Sequence, residues 1–403
     1  MGARLLMQDI PRIPRRTPMA WRLAALADQR RIDAWLRAFG AAALPLVSSG
    51  RLAAMDLPPD IAQQALRRVR SLADWPVAWT WAAQRYLSES RTHQRMGRRA
   101  ESALAQRHAA LAYHLASILV FDDARTVRTL RDACSTLYAQ ATLVLQPTIR
   151  RVEIWWRAER LPAYLALPDD PQGPAPLVVL LNGSSTSKEE TLLWTASLRA
   201  AGFAVLALDW PGSGESALSV PPTADCADFT HGLFAFAELD PTLDARRVAL
   251  LGFSLGGAVA ALGAAHDRRV AALIAVTPPF DPRPWFDRTQ PLMRRHIAAI
   301  AGGLDAARRL CGDFALPGVL ERITAPVLVL GAGRDLIVPP EEALRYCAAA
   351  GARGTLLWYP DGGHGLYDEM DDWMPEVATW LHERFGMAGT STQVEKGAPV
   401  AAS

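Results

Sequence analysis

At 403 residues, half of them hydrophobic, the chain exceeds one typical domain and can bury a sizeable core. A formal charge of +2 is too small to support a nucleic-acid partner. No run of about 18 uncharged apolar residues occurs, so no membrane span is expected.

Near the N-terminus, Arg12, Arg15 and Arg16 lead into no apolar segment, because Arg22, Asp28 and Arg30 interrupt it. No secretory signal is expected. Cys134, Cys226, Cys311 and Cys347 are far apart and read as free thiols of a reducing, cytoplasmic protein. Residues 1–150 carry apolar residues at three- and four-residue spacing over 21–39, 59–72, 77–88, 101–121 and 123–143, with Pro147 closing the last run. No alternating strand pattern is evident in this block. It is expected to be an all-helical unit preceding a sheet.

From Arg151 the period changes. Residues 152–156 and 161–167 read as a β-hairpin. Strands expected at 177–181, 204–208, 248–252, 270–276, 327–330 and 355–359 then alternate with helices at 189–201, 229–238, 255–265, 341–350 and 375–384. Apolar strands spaced by helices predict an α/β catalytic domain over 151–386, with a mostly parallel sheet covered on both faces. Residues 387–403 are small and polar and are expected to be disordered.

One stretch organises the rest. The apolar run Val248–Leu251 ends in Gly252-Phe253-Ser254-Leu255-Gly256-Gly257, and a small-residue helical run follows. A serine on a sharp strand-to-helix turn is crowded, so residues two away on either side must lack side chains. A serine hydroxyl also needs a base, and the base needs an orienting group. Asp335 follows the strand at 327–330, and His364 follows the strand at 355–359 between glycines. None of His93, His108, His114, His231, His266, His296 and His382 has such a setting. Asp361, on the loop of His364, suits a turn better than an orienting acid. The N–H of Leu255 and, from Asn182-Gly183-Ser184-Ser185, that of Ser184 are the expected oxyanion donors.

These residues give the chain a family look. Residues 163–385 resemble the α/β-hydrolase superfamily. Asn182 to Glu190, Asp209-Trp210-Pro211-Gly212-Ser213-Gly214-Glu215 and Gly252 to Gly257 are similar to three motifs of one group within it. That group comprises 2,6-dihydroxypseudooxynicotine hydrolase, fungal polyketide-shortening hydrolases and fermentation–respiration switch proteins. The resemblance implies the fold, the triad Ser254, Asp335 and His364, a cap formed by residues 1–150, and a homodimer. Two positions depart from the group's pattern: Asn182 replaces a glycine and Ser185 replaces an acid. In the nicotine-degrading member that acid assists carbon–carbon cleavage, which a serine cannot do in the same way.

Lys188, Glu189 and Glu190 belong to the group's pattern, yet carboxylates also suit the first turn of a helix. Asp209 to Glu215 is expected to shape a turn below the site. Phe280 and Trp285, on the proline-stiffened loop after Val276, would favour an aromatic or apolar acyl group. His108, Tyr113 and His114 are candidate polar contacts from the helical block, and Ser185 is a further candidate.

The resulting expectation is a serine hydrolase forming an acyl-enzyme on a small-molecule ester, thioester or activated ketone of secondary-metabolite or polyketide type, free or held on a carrier protein. The alternatives are an acyltransferase or cyclase using the same intermediate, a β-diketone carbon–carbon hydrolase, and, most remotely, a non-catalytic regulatory protein. No metal site or organic cofactor is implied, since no metal-spaced ligand cluster or phosphate loop is present.

Overall fold

The computed structural model describes residues 3–5, 29–121 and 123–387. Among these, nine strands build one sheet: β1 (Ala3–Leu5), β2 (Ile149–Trp156), β3 (Glu159–Ala166), β4 (Ala175–Leu181), β5 (Ala204–Leu208), β6 (Leu243–Phe253), β7 (Val270–Val276), β8 (Val327–Ala332) and β9 (Gly354–Tyr359). Their spatial order is β1-β9-β8-β7-β6-β4-β5-β3-β2. Strands β4 to β9 run parallel, β3 joins β5 antiparallel, and β1 joins β9 antiparallel. The hairpin β2–β3 pairs Trp156 with Glu159.

The central strands are continuous apolar runs because both faces are covered. Side chains alternate across a strand, so Leu177, Val179 and Leu181 enter one core while Val178 and Leu180 enter the other. The second of these cores is continuous with the helical block, including Trp79, Leu115 and Tyr138. Helices Asp74–Arg95 and Arg99–Ser117 pack as a pair, and Ala124–Thr142 packs on the second of them. Asp123 caps the last, its carboxylate accepting from the Thr126 amide at 3.0 Å.

The expected elements recur with five differences, the first a short helix, Ser49–Ala54, between the expected helices 21–39 and 59–72. Strand β1 lies in the block read as all-helical; three residues are too few to show alternation. The helix expected over 189–201 is broken into Lys188–Thr191, a 3₁₀ turn and Ala196–Ala200, and residues 188–192 are all buried. The last helix begins at Met370 and carries Pro375 inside it, not at its first turn. Helices Pro291–Ala301 and Leu304–Asp313 were not anticipated. Residues 21–28 and 388–403 lie outside the described residues.

Candidate active site

The chain runs from β4 to β5 on one side, then returns to place β6 on the other side of β4. Such a reversal leaves a crevice at the carboxyl ends of the two neighbouring strands, where open parallel sheets bind ligands. β6 ends at Phe253, and Ser254 follows at φ 50°, ψ −121°, a region that L-residues rarely occupy. Its amide donates to the Val276 carbonyl at 2.9 Å, which locks the turn onto β7.

The flanking glycines are required by close backbone approach. A Cβ on Gly252 would sit 2.2 Å from the Gly256 carbonyl oxygen, and one on Gly256 would sit 2.1 Å from that of Leu181. Gly256→Ala is therefore expected to destabilise the fold by about 3 kcal/mol, because backbone cannot yield as a side chain can. A urea titration reads this as a lowered midpoint; an unmoved midpoint would mean that the helix backs away freely from β4.

Asp335 and His364 come from the loops after β8 and β9. Asp335 Oδ1 accepts from the amides of Ile337 and Val338 at 2.8 and 2.9 Å. Its Oδ2 lies 2.7 Å from His364 Nδ1, and both side chains are largely buried. Asp361 instead pairs with Arg334 at the exposed surface. Ser254 and His364 line one cavity together with Gly183, Ser184, Ser185, Pro45, Leu46, Arg51 and Tyr367. A second cavity of ≈ 60 Å³ also opens on Ser254 and Ser184. Leu255, Trp285, Phe286, Met293 and Phe314 wall it, and no charged side chain does. Leu255 opens its helix, so its amide has no intrahelical acceptor.

The remaining candidates lie elsewhere. Phe280 is buried in the opposite core beneath the Arg345 guanidinium, and its amide donates to Glu342. His108 packs against the Tyr86 ring, and Tyr113 packs against the helical core. The Nε2 of His114 is 2.9 Å from Glu190 Oε2. None of Phe280, His108, Tyr113 and His114 lines either cavity. The helix Arg99–Ser117 turns His114 to a buried carboxylate and packs His108 and Tyr113 against neighbouring side chains rather than against the crevice.

The charged motif residues form buried networks instead of decorating a helix end. Lys188 Nζ reaches Glu189 at 2.5 Å, Asp209 at 3.0 Å and Glu215 at 2.7 Å. Those three carboxylates could together ligate a cation, but the ammonium already stands among them. Burial raises Asp209 above the usual carboxylate range despite Lys188. Glu215, although burial opposes it, is held at about 2 by Lys188 and Arg151. Glu190 accepts two bonds from Arg51, at 2.7 and 2.8 Å. No sequence pattern marks Arg51, Met293, Ile337 or Tyr367 as site residues. The one usable signal is indirect: a buried Glu190 requires a cation.

Comparison with known proteins gives a consistent picture. A model described as the alpha/beta hydrolase family matches residues 178–318. The 2,6-dihydropseudooxynicotine hydrolase of Paenarthrobacter nicotinovorans is 27% identical over 326 residues, covering 75% of this chain and 84% of that protein. The alpha/beta hydrolase pydG of an Acremonium species is 32% identical, and the match spans 51% of each chain. Among solved structures, that of a 2,6-dihydroxy-pseudo-oxynicotine hydrolase superposes with a TM-score of 0.75 at 24% identity, over 84% of this chain and 97% of that one. A parallel sheet with a serine on the turn after its central strand, matched by these sequences and by this superposition, gives the chain an α/β-hydrolase fold, and it resembles the group of the pseudooxynicotine and fungal polyketide-type hydrolases.

Proposed function

We propose that the chain is a serine hydrolase acting through a covalent acyl-enzyme. Ser254 Oγ attacks a carbonyl carbon while His364 Nε2 takes the hydroxyl proton and then returns it to the leaving group. Asp335 orients the imidazole, and the amides of Leu255 and Ser184 receive the oxyanion. Water then attacks the acyl-serine and releases the acid. The observation carrying this reading is the 2.7 Å contact of Asp335 Oδ2 with His364 Nδ1, made beside the cavity that holds a serine at positive φ. With Nδ1–H engaged, Nε2 is left as the acceptor.

An ester or thioester of secondary-metabolite type suits the site, with the N-terminal helices acting as a cap through Pro45, Leu46 and Arg51. The names of the relatives support hydrolysis as the reaction type. The apolar cavity, at ≈ 60 Å³, is smaller than the roughly 150 Å³ that accepts benzene. It favours a short aliphatic acyl group over an aromatic one. Ester and thioester cleavage is favoured over β-diketone cleavage because Ser185 supplies no carboxylate.

A fluorophosphonate probe, followed by peptide mass mapping, tests the mechanism, with a single adduct expected on Ser254. A panel of p-nitrophenyl esters, acyl thioesters and β-diketones tests the substrate class. Acetyl to butyryl esters should turn over fastest and β-diketones slowest. Absence of a Ser254 adduct in folded protein overturns the mechanism, and β-diketone rates equal to ester rates overturn the substrate ranking.

A further inference from the structure

The loop between β4 and the helix Lys188–Thr191 is held by its carbonyls. Gly183 O accepts from the Thr186 amide at 3.3 Å, and Gly183 N donates to Thr186 Oγ1 at 2.7 Å. Ser184 O lies 2.9 Å from His296 Nε2. Ser185 O accepts from Arg51 Nη2 at 2.9 Å. Thr186 O accepts from Asn182 Nδ2 at 2.6 Å. The Ser184 and Ser185 amides donate to no acceptor among the described residues.

A peptide group is planar, with its N–H and C=O pointing in opposite directions. Holding the Gly183 carbonyl therefore aims the Ser184 N–H, holding the Ser184 carbonyl aims the Ser185 N–H, and holding the Ser185 carbonyl aims the Thr186 N–H, which in turn holds the Gly183 carbonyl. The loop lies against the nucleophile: a Cβ on Gly183 would be 3.4 Å from Ser254 Cβ. The two outer holds come from different parts of the chain. His296 lies on the helix Pro291–Ala301, and burial keeps its imidazole neutral at pH 7, its pKa pushed down to about 4. Arg51 comes from the helical block, is 2% exposed, and is itself seated by Glu190 and by the Leu46 carbonyl at 2.7 Å. A guanidinium can serve a carboxylate and two carbonyls at once because its five N–H groups form a rigid fork.

We propose that Arg51 and His296 are positioning residues for the oxyanion site: Arg51, by gripping the Ser185 carbonyl, fixes the Thr186 N–H on the Gly183 carbonyl and so aims the Ser184 N–H at the oxygen of the reacting carbonyl, while His296 fixes the carbonyl of Ser184 itself. The helical block then contributes to the transition state as well as to the wall of the cavity. The inference rests on the acyl-enzyme reading above, and the oxyanion donors act only once the carbonyl oxygen has become negative. Loss of the grip must therefore lower kcat far more than it raises KM.

The test uses the full chain, with active sites counted by fluorophosphonate titration and rates taken on p-nitrophenyl butyrate. Arg51→Lys keeps the charge but cannot make the fork. It should lose about 10- to 100-fold in kcat per titrated site, with KM within about threefold, because one misaimed donor is worth up to about 10²–10³. His296→Leu should lose a similar factor, whereas His296→Gln, which retains an N–H donor, should recover most of it. Inhibition by butylboronic acid, whose serine adduct carries a tetrahedral oxyanion-like centre, should weaken by the same factor as kcat/KM. Inhibition by butyrate, the product, should not change. If folded Arg51→Lys and His296→Leu keep kcat within twofold of the wild type, or lose kcat while boronate affinity is unchanged, the positioning role is overturned. Should Arg51→Lys not fold, the His296 pair decides alone. Failure of the wild type itself to label or to cleave esters overturns the acyl-enzyme reading, and this inference with it; failure confined to the variants' pattern overturns only the inference.

Discussion

Ser254→Ala is expected to reduce ester turnover by about 10⁴- to 10⁶-fold, since removing the nucleophile of a triad leaves only binding and oxyanion stabilisation. Stability separates this from a folding defect. The backbone at Ser254, with φ 50° and ψ −121°, is strained for any residue bearing a Cβ, at a cost of about 1–3 kcal/mol. Alanine keeps that strain and glycine relieves it. Ser254→Gly should therefore be as inactive as Ser254→Ala yet more stable by about 1 kcal/mol, read from paired urea titrations. An alanine variant retaining more than about 1% of the wild-type rate would place the nucleophile elsewhere. A glycine variant no more stable than the alanine one would mean that the turn is not under strain.

Asp335→Asn should cost about 10⁴-fold in kcat with little change in stability. The geometry explains why so conservative a change would matter. Asp335 Oδ1 receives two backbone N–H groups, from Ile337 and Val338, so the single oxygen of an asparagine amide must occupy that side. Its NH₂ group is then presented to His364 Nδ1, where the carboxylate Oδ2 had accepted a hydrogen bond. A donor facing Nδ1 forces the imidazole proton onto Nε2 and removes the base from Ser254. The variant should still fold, because the loop-closing bonds to Ile337 and Val338 survive. Kinetics on a p-nitrophenyl ester, beside a thermal melt, decide it. A loss below about 100-fold would show that His364 takes its tautomer from another partner.

The parts of the fold that were legible are those governed by neighbours in the chain. Strand alternation split Val178 and Leu180 from Leu177 and Val179, and burial on both faces made each strand a continuous apolar run. The serine turn could be read because Gly252 yields to the Gly256 backbone within the same turn, whereas the need for Gly256 to yield to the Leu181 carbonyl belongs to the tertiary structure. Asp335 and His364 were accessible to the same reasoning, as each follows its own strand and the two are 29 residues apart. Helices Pro291–Ala301 and Leu304–Asp313 carry local signals too, namely Pro291 at the first turn and apolar residues spaced by three and four. They supply Met293 and Leu310, which wall the apolar cavity.

His108 and His114 show the opposite limit. Both stand on a helix beside the catalytic unit, and helical spacing alone cannot tell a face turned to the crevice from one turned to a buried carboxylate. His114 meets Glu190, 76 residues away, and Arg51 meets the same carboxylate from 139 residues away. The amino-acid sequence by itself determined the sheet, the strained serine and the two loops that present an acid and an imidazole, because each depends on backbone sterics and periodicity within a short span. Only the tertiary structure decided which buried charges meet, which helices wall the crevice and what grips the loop beside Ser254. Those contacts join distant segments, and an arginine or histidine carries no local mark of the partner that packing will bring to it.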